Sequence, residues 1–429
     1  MIGIVLAVPV GLIAAQLWHR MVDTLGTRPV RSVRSLGVPA TPPAVTSTQF
    51  TSALGGLTRT PIRPGHQVEL LIDGPATLAR LEADLMAAQR SLAIQTYFCE
   101  PGDVTDRIKR VLMEKARQGL EVMFLADGFG CNLGSRYDDS LRAAGVLTAT
   151  IRPLRWYSLH RAQHRSHVRA VIIDQRIGYT GGFGLADKWM PDSTGKPGWR
   201  ETSVRFTGPA VTQLAGAFAV AWADALGELL AGDAMFPTPT DSQAPGGAAA
   251  GLLFTTRTYG TPVPERYLAL SLAGARRTIH IVNPYFIPNN EVRRWLKDAA
   301  QRGVDVRVLS AGPDIDVKWT RWAAHTHYEE LLQSGVKIYE YQPTMLHAKS
   351  MVIDGIYSSV GSLNLDNVSL RINDEAVLLV HDSAVSATLD SSFRADLEQS
   401  REISLEEFRD RPLTHKLREA FARIIRDFL

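Results

Sequence analysis

Across most of this chain, stretches with apolar residues every three or four positions alternate with short Val-, Ile- and Leu-rich runs. That is the rhythm of helices feeding buried strands. The rhythm occurs twice. AQRSLAIQTYF at Ala88–Phe98 matches ARRTIHIVNPYF at Ala275–Phe286 apart from one inserted residue. RQGLEVMFLADG at Arg117–Gly128 parallels QRGVDVRVLSAG at Gln301–Gly312, each a helix stopped by glycine and followed by a β-rich run. AAGVLTATIRP at Ala143–Pro153 then parallels QSGVKIYEYQP at Gln333–Pro343. The repeat predicts two α/β lobes, residues 67–235 and 252–429, with largely parallel central sheets. Two copies are too few for a stacked array, so the lobes are expected to pair about a pseudo-twofold axis with a shared site at their interface.

The segments outside this pattern read differently. Ile2 to Trp18 carries no charge and sits at the lower limit for a membrane span, while Arg20, Arg28, Arg31 and Arg34 follow it rather than precede it. Residues 1–20 therefore read as an uncleaved N-terminal apolar anchor helix. The rivals are a cleaved export signal and a helix lying on the membrane surface, with Pro9 interrupting the run. Residues 21–66, rich in Pro, Thr, Ser, Gly and Arg, read as a tether, and residues 236–251 as a linker. Near the end, SLEE at Ser404–Glu407 has the pattern of a capping box. A helix from about Thr414 to Leu429 places Leu417, Phe421, Ile424 and Ile425 on one face.

Composition narrows the function classes. The 47 basic residues nearly balance 44 acidic ones, so a net charge of +3 gives no global field for nucleic acid. Cys99 and Cys131 have neither metal-site spacing nor a disulfide framework around them. They read as small buried apolar residues in a reducing compartment. Basic residues concentrate around Arg155, Arg161, Arg165 and Arg169, beside His160 and His164; this stretch is either an anionic-headgroup site or a solvated loop. Tyr97, Phe98, Tyr285 and Phe286 end strands, where core packing is the ordinary use.

The chemistry lies in two histidine strings. HAKSMVID at His347–Asp354 is followed by GSLN at Gly361–Asn364 and NDE at Asn373–Glu375, giving HxKx4Dx6GSxN. Met345–Ile353 reads as a strand, so the period of two puts His347 and Lys349 on one face, where both can meet one anion. An imidazole beside a fixed ammonium suits phosphoryl chemistry: one attacks or donates a proton, the other holds non-bridging oxygens. Gly361 and Ser362 allow close backbone approach, and Asn364 offers an amide donor. The first half carries HVRAVIID at His167–Asp174, GGFG at Gly181–Gly184 and WRE at Trp199–Glu201. It departs twice, with Arg169 in place of lysine and Gly184 in place of asparagine.

This spacing resembles the signature of the phospholipase D superfamily, and the longer string through Glu375 is similar to its cardiolipin synthase branch, over most of residues 66–429. The resemblance implies two tandem phospholipase D-like α/β/α lobes. It also implies a two-step exchange in which His167 attacks phosphorus, a phosphohistidine forms, and His347 protonates the leaving group; the better-preserved second motif leaves the reverse assignment open. Lys349 and Arg169 would hold the phosphate with Asn364, Ser362, Gly361 and Gly182. Glu201 and Glu375 would orient the histidines, and Asp174 and Asp354, on the opposite strand face, would be structural. No metal or cofactor is implied. The expected activity is transfer of a phosphatidyl group between phospholipids, phosphatidylglycerol first among them, at a bacterial cell (inner) membrane with the lobes cytoplasmic. Neither nucleic acid nor an obligatory protein partner is expected. Hydrolysis of phospholipid or nucleic acid, and a catalytically impaired lipid-binding protein, are the alternatives.

Overall fold

The computed structural model describes residues 27–36, 41–155, 163–237, 247–257, 260–412, 414–415 and 419. The repeat becomes two mixed sheets. The first lobe's sheet runs β2 (Val68–Ile72), β8 (Thr202–Thr207), β7 (Ile177–Gly181), β6 (Ala170–Ile173), β3 (Ser91–Thr96), β4 (Glu121–Asp127) and β5 (Leu147–Ile151). The second repeats that order as β9 (Ala248–Thr255), β15 (Glu375–His381), β14 (Tyr357–Gly361), β13 (Ser350–Ile353), β10 (Thr278–Val282), β11 (Asp305–Ala311) and β12 (Lys337–Tyr341). It adds β1 (Arg63–His66) and β16 (Ser400–Ile403) at its edges.

Parallel pairing is confined to β3–β4–β5 and β10–β11–β12; the other strands pair antiparallel, which corrects the largely parallel reading. The reason is local. Asp174 and Gln175 have φ of 52° and 56°, and Asp354 and Gly355 have 53° and 70°. Two successive left-handed residues make the tight turn that returns a strand antiparallel to itself. The aspartates also tie these turns down. Asp174 accepts from the backbone N–H groups of Gln89, Arg90 and Ser91 at 2.9, 2.7 and 3.0 Å, and Asp354 from those of Arg276, Arg277 and Thr278 at 2.8, 2.7 and 2.9 Å. Each carboxylate therefore fixes where β3 or β10 begins against its histidine-bearing neighbour.

The two lobes share apolar core. Phe206, Leu214 and Phe218 of the first lobe pack in one cluster with Leu252, Val352, Val360 and Leu378 of the second. Burial of each such side chain is worth roughly 1.5–3 kcal/mol, so the lobes are held as one body. The segment expected to be a tether joins this body. Val45, Phe50 and Leu54 are buried in the second lobe's core. The helix Thr48–Thr58 is capped by the Ser47 hydroxyl, which accepts from Phe50 N at 3.2 Å. β1 then pairs antiparallel with β9, whose first residues, Ala248–Gly251, had been assigned to the linker. The Thr-, Ser- and Gly-rich composition of residues 41–66 conceals the spacing of Phe50 and Leu54, one helical turn apart.

The expected anchor, the middle of the linker (238–246) and most of the terminal helix lie outside the described residues. Among those described, no helix is long and apolar enough to cross a membrane. The SLEE capping residue acts as expected, the Ser404 hydroxyl accepting from Glu407 N at 3.1 Å at the start of the helix Leu405–Arg409.

Cys99 and Cys131 are joined in a disulfide, contrary to the reading of two separate thiols in a reducing compartment. β3 and β4 are parallel neighbours, so the loops leaving their C-terminal ends run side by side, a proximity that sequence spacing does not reveal. A crosslink over 32 residues is expected to contribute about 2–4 kcal/mol. Denaturant unfolding should show that loss on adding a thiol reductant to the parent chain. The reductant should have no effect on a Cys99→Ala, Cys131→Ala variant.

Candidate active site

The histidines stand just before their strands rather than within them. β6 begins at Ala170 and β13 at Ser350, and the extended residues leading into each pair across the lobe boundary. His167 N donates to Asp374 O at 3.0 Å and Asp374 N to Arg165 O at 3.0 Å; His347 N donates to Arg200 O at 2.8 Å and Arg200 N to Met345 O at 2.8 Å. Each histidine is thus laid against the other lobe's carboxylate. His167 Nδ1 lies 2.9 Å from Glu375 Oε2, and His347 Nδ1 lies 2.6 Å from Glu201 Oε2.

The opposite ring nitrogens meet cations. Arg169 Nη1 is 3.0 Å from His167 Nε2, and Lys349 Nζ is 2.9 Å from His347 Nε2. A guanidinium and an ammonium can only donate, so the network assigns both histidines a proton on Nδ1, shared with the carboxylate, and a lone pair on Nε2. His167, Arg169, Glu201, His347, Lys349 and Glu375 are all buried. They form one electrostatic unit: Arg169 and Lys349 each face both carboxylates, and His167 feels Lys349 and His347 as well as Arg169.

The two pairs differ in charge. Burial pushes the Glu201 carboxyl up, but His347 and Lys349 outweigh it and bring it down to about 2. Burial, opposed by Ser362, Ser369 and Arg169, leaves Glu375 well above the usual carboxylate range. Burial and then Arg169, Lys349 and His347 hold the His167 imidazole well below its ordinary value. Burial and Lys349 lower His347 to about 4 despite Glu201, and burial lowers Lys349 to about 7. The His347–Glu201 pair therefore carries the firmly ionised carboxylate, and burial and the two cations hold both imidazoles neutral.

The glycine-rich loops pack under the carboxylates. The Ser362 hydroxyl donates to Glu375 Oε2 at 2.5 Å and accepts from Ala376 N at 3.0 Å, so it supports the carboxylate. A Cβ at Gly182 would fall 2.4 Å from Glu201 Oε2, and one at Gly361 would fall 2.3 Å from Ala376 O. Asn364 is buried, and its amide oxygen has no partner among the described residues, which leaves that amide free for a ligand. Aromatic rings wall the site. Tyr97 stands edge-on to His167 at 4.8 Å between ring centres, Trp189 and Trp199 each lie 5.5 Å from His347, and Tyr285 lies 6.4 Å away. Phe286 is instead fully buried core.

The basic stretch upstream of His167 largely neutralises itself. Arg165 bonds Arg152 O at 2.9 Å and lies 3.6 Å from Asp127, Arg152 pairs with Asp374 at 2.7 Å, and His164 is 3.4 Å from the same aspartate. His160 and Arg161 lie outside the described residues. Among the described residues no group of three His, Cys, Asp or Glu could hold a metal ion.

Residues 268–397 match the family described as cardiolipin synthase, PLD-like domain. The chain is 33% identical over 318 residues to a cardiolipin synthase of Geobacillus kaustophilus, covering 73% of this chain and 63% of that protein. It is 32% identical over 330 residues to cardiolipin synthase A of Pseudomonas fluorescens, covering 76% of this chain and 67% of that one. The chain belongs to the cardiolipin synthase branch of the phospholipase D superfamily. It spans slightly less than two thirds of the length of the Geobacillus relative. In fold it is similar to the phosphatidylserine synthase of Haemophilus influenzae, with a TM-score of 0.64 at 12% identity over 89% of this chain and all of that one.

The sequence motifs of this cardiolipin synthase branch pick out the two histidines but not the carboxylates they pair with. The crossing of Glu201 to His347 and of Glu375 to His167 was not legible, because each carboxylate follows the histidine of its own half in the chain. Trp189 was missed altogether. Its one signal was the absence of a side chain at Gly184.

Proposed function

We propose that the protein is a phosphatidyltransferase of cardiolipin synthase type, moving a phosphatidyl group from one phospholipid to the hydroxyl of another through a phosphohistidine. The observation that supports this most directly is the crossed pairing of two buried histidines with two buried carboxylates, each imidazole presenting a lone pair on Nε2 to a shared cationic centre.

His167 is the nucleophile in this reading, because the firmly ionised carboxylate, Glu201, sits on His347, the imidazole that must carry a proton. Nε2 attacks phosphorus, the bond from phosphorus to the departing alcohol oxygen breaks, and His347 delivers its Nε2 proton to that oxygen. Ionised Glu201 stabilises the imidazolium that His347 must first become. The acceptor hydroxyl then gives its proton back to His347 and attacks phosphorus as His167 leaves. Arg169 and Lys349 turn from the ring nitrogens to the non-bridging oxygens when a phosphodiester enters, and the Asn364 amide joins them. Lipid substrates require the enzyme to work at a membrane surface, which fits residues 1–20 as an anchor. The disulfide fits lobes in an oxidising compartment rather than the cytoplasmic side expected from the sequence, and labelling of intact cells with an impermeant reagent should then reach them.

The test is incubation of the purified protein, and of a His347→Ala variant, with labelled phosphatidylglycerol in micelles, followed by lipid separation. Cardiolipin from the parent and none from the variant is the expected result. Phosphatidic acid alone would make the enzyme a hydrolase, and no product from either would favour lipid binding without turnover.

Arg169 also has a checkable role. Lys349 reaches both its histidine's Nε2 and that residue's carbonyl oxygen, and Arg169 makes the same two contacts with His167. Arg169→Lys should therefore keep transfer within about threefold of the parent or raise it, since a lysine can take up the geometry of the other half. A complete loss in the same assay would mean that the planar fork is required.

A further inference from the structure

The first-half glycine that breaks the repeat is not an empty place. A Cβ on Gly184 would lie 2.7 Å from Cη2 and 2.9 Å from Cζ3 of Trp189, and 3.1 Å from the carbonyl oxygen of Phe98. An asparagine has no room there while the indole stays. Trp189 closes the short 3₁₀ turn Asp187–Trp189 and is buried. Its Nε1–H donates to Glu201 Oε2 at 3.3 Å, the same oxygen that His347 Nδ1 approaches to 2.6 Å. Its ring meets the His347 ring edge to face at 5.5 Å.

The other pair is supported differently. On Glu375 the Ser362 hydroxyl donates at 2.5 Å, with Ser369 as a further side-chain donor. The first-half counterpart of Ser362 is Gly182, where a Cβ would fall 2.4 Å from the Glu201 carboxylate. The first-half loop therefore lacks both the hydroxyl and the amide of its twin. One indole fills the space of the amide and supplies the donor in place of the hydroxyl.

We propose that Trp189 is the positioning residue of the Glu201–His347 pair, and that Gly182 and Gly184 are side-chain-free so that the carboxylate and the indole can occupy those places. The first half's departures from the family string are then a rebuilt support rather than a decayed site. The activity arm of the test rests on the transferase reading above; the titration arm does not.

Trp189→Phe keeps a ring while removing both the N–H and the outer ring atoms nearest Gly184. In the full-length chain with isotope-labelled histidine, the His347 signal is assigned by its loss in His347→Gln. The groups facing His347 are Glu201, Lys349, Arg169, His167 and Tyr285. Taking a positive dipole end away from Glu201 favours the imidazolium, so the His347 titration should move to higher pH in Trp189→Phe while that of His167 stays in place. In the lipid assay kcat should fall about tenfold with KM unchanged, the size expected for one hydrogen bond to a charged group. Gly184→Ala alone should lose at least as much. The Gly184→Ala, Trp189→Phe double variant should come close to Trp189→Phe, because the clash with the indole is gone and only the 3.1 Å approach to Phe98 O remains. An unmoved His347 titration, or a double variant no better than Gly184→Ala, would overturn the proposal. A parent chain that titrates as described but yields no lipid product would overturn the transferase reading instead.

Discussion

A Glu201→Gln chain is expected to make cardiolipin about 10²- to 10⁴-fold more slowly than the parent, with its fold intact by thermal unfolding. The amide is isosteric but can turn its NH₂ toward His347 Nδ1, which moves the ring proton to Nε2 and removes the charge that stabilises the imidazolium. The loss should appear at the histidine of the other lobe. Combining Glu201→Gln with His347→Asn should cost little more than His347→Asn alone, because the two residues act as one unit 2.6 Å apart. Full additivity of the Glu201→Gln and His347→Asn losses would disprove the crossed arrangement.

The second large effect separates the roles of the histidines. On phosphatidylglycerol, His167→Asn and His347→Asn should each fall at least about 10³-fold, since neither step proceeds without both a nucleophile and an acid. A phosphodiester with a p-nitrophenyl leaving group changes the comparison. That group departs without a proton, so His347→Asn should recover much of the first step and show a burst of p-nitrophenol as the phosphohistidine accumulates. His167→Asn should show none. The opposite pattern would assign attack to His347 and protonation to His167.

Legibility in the sequence followed the range of the interactions. The repeated strings at Ala88–Phe98 and Ala275–Phe286 revealed the duplicated lobes because each lobe repeats its local rhythm. The antiparallel return after Asp174 was hidden because Gln175 is a non-glycine residue in the left-handed region, whereas Asp354-Gly355 is the ordinary two-residue hairpin pair and was readable. Phe50 and Leu54 were hidden by the polar residues between them, and their partners lie some two hundred residues away in the chain. At the site, His347 and Lys349 were recoverable because two positions apart on extended backbone share a face. The pairing of Glu201 with His347, 146 residues apart, depends on how the two sheets meet. Trp189 was unreadable for a related reason: an aromatic residue in a loop gives no hint of the carboxylate it touches.

The strand Arg63–His66 precedes one lobe in sequence yet closes the sheet of the other. A chain severed between residues 237 and 247 would give one fragment holding Glu201 without His347, and another holding His347 without Glu201. Each piece would also be missing an edge or a face that the other carries. Neither half is therefore a self-sufficient module, because each histidine finds its carboxylate only in the other.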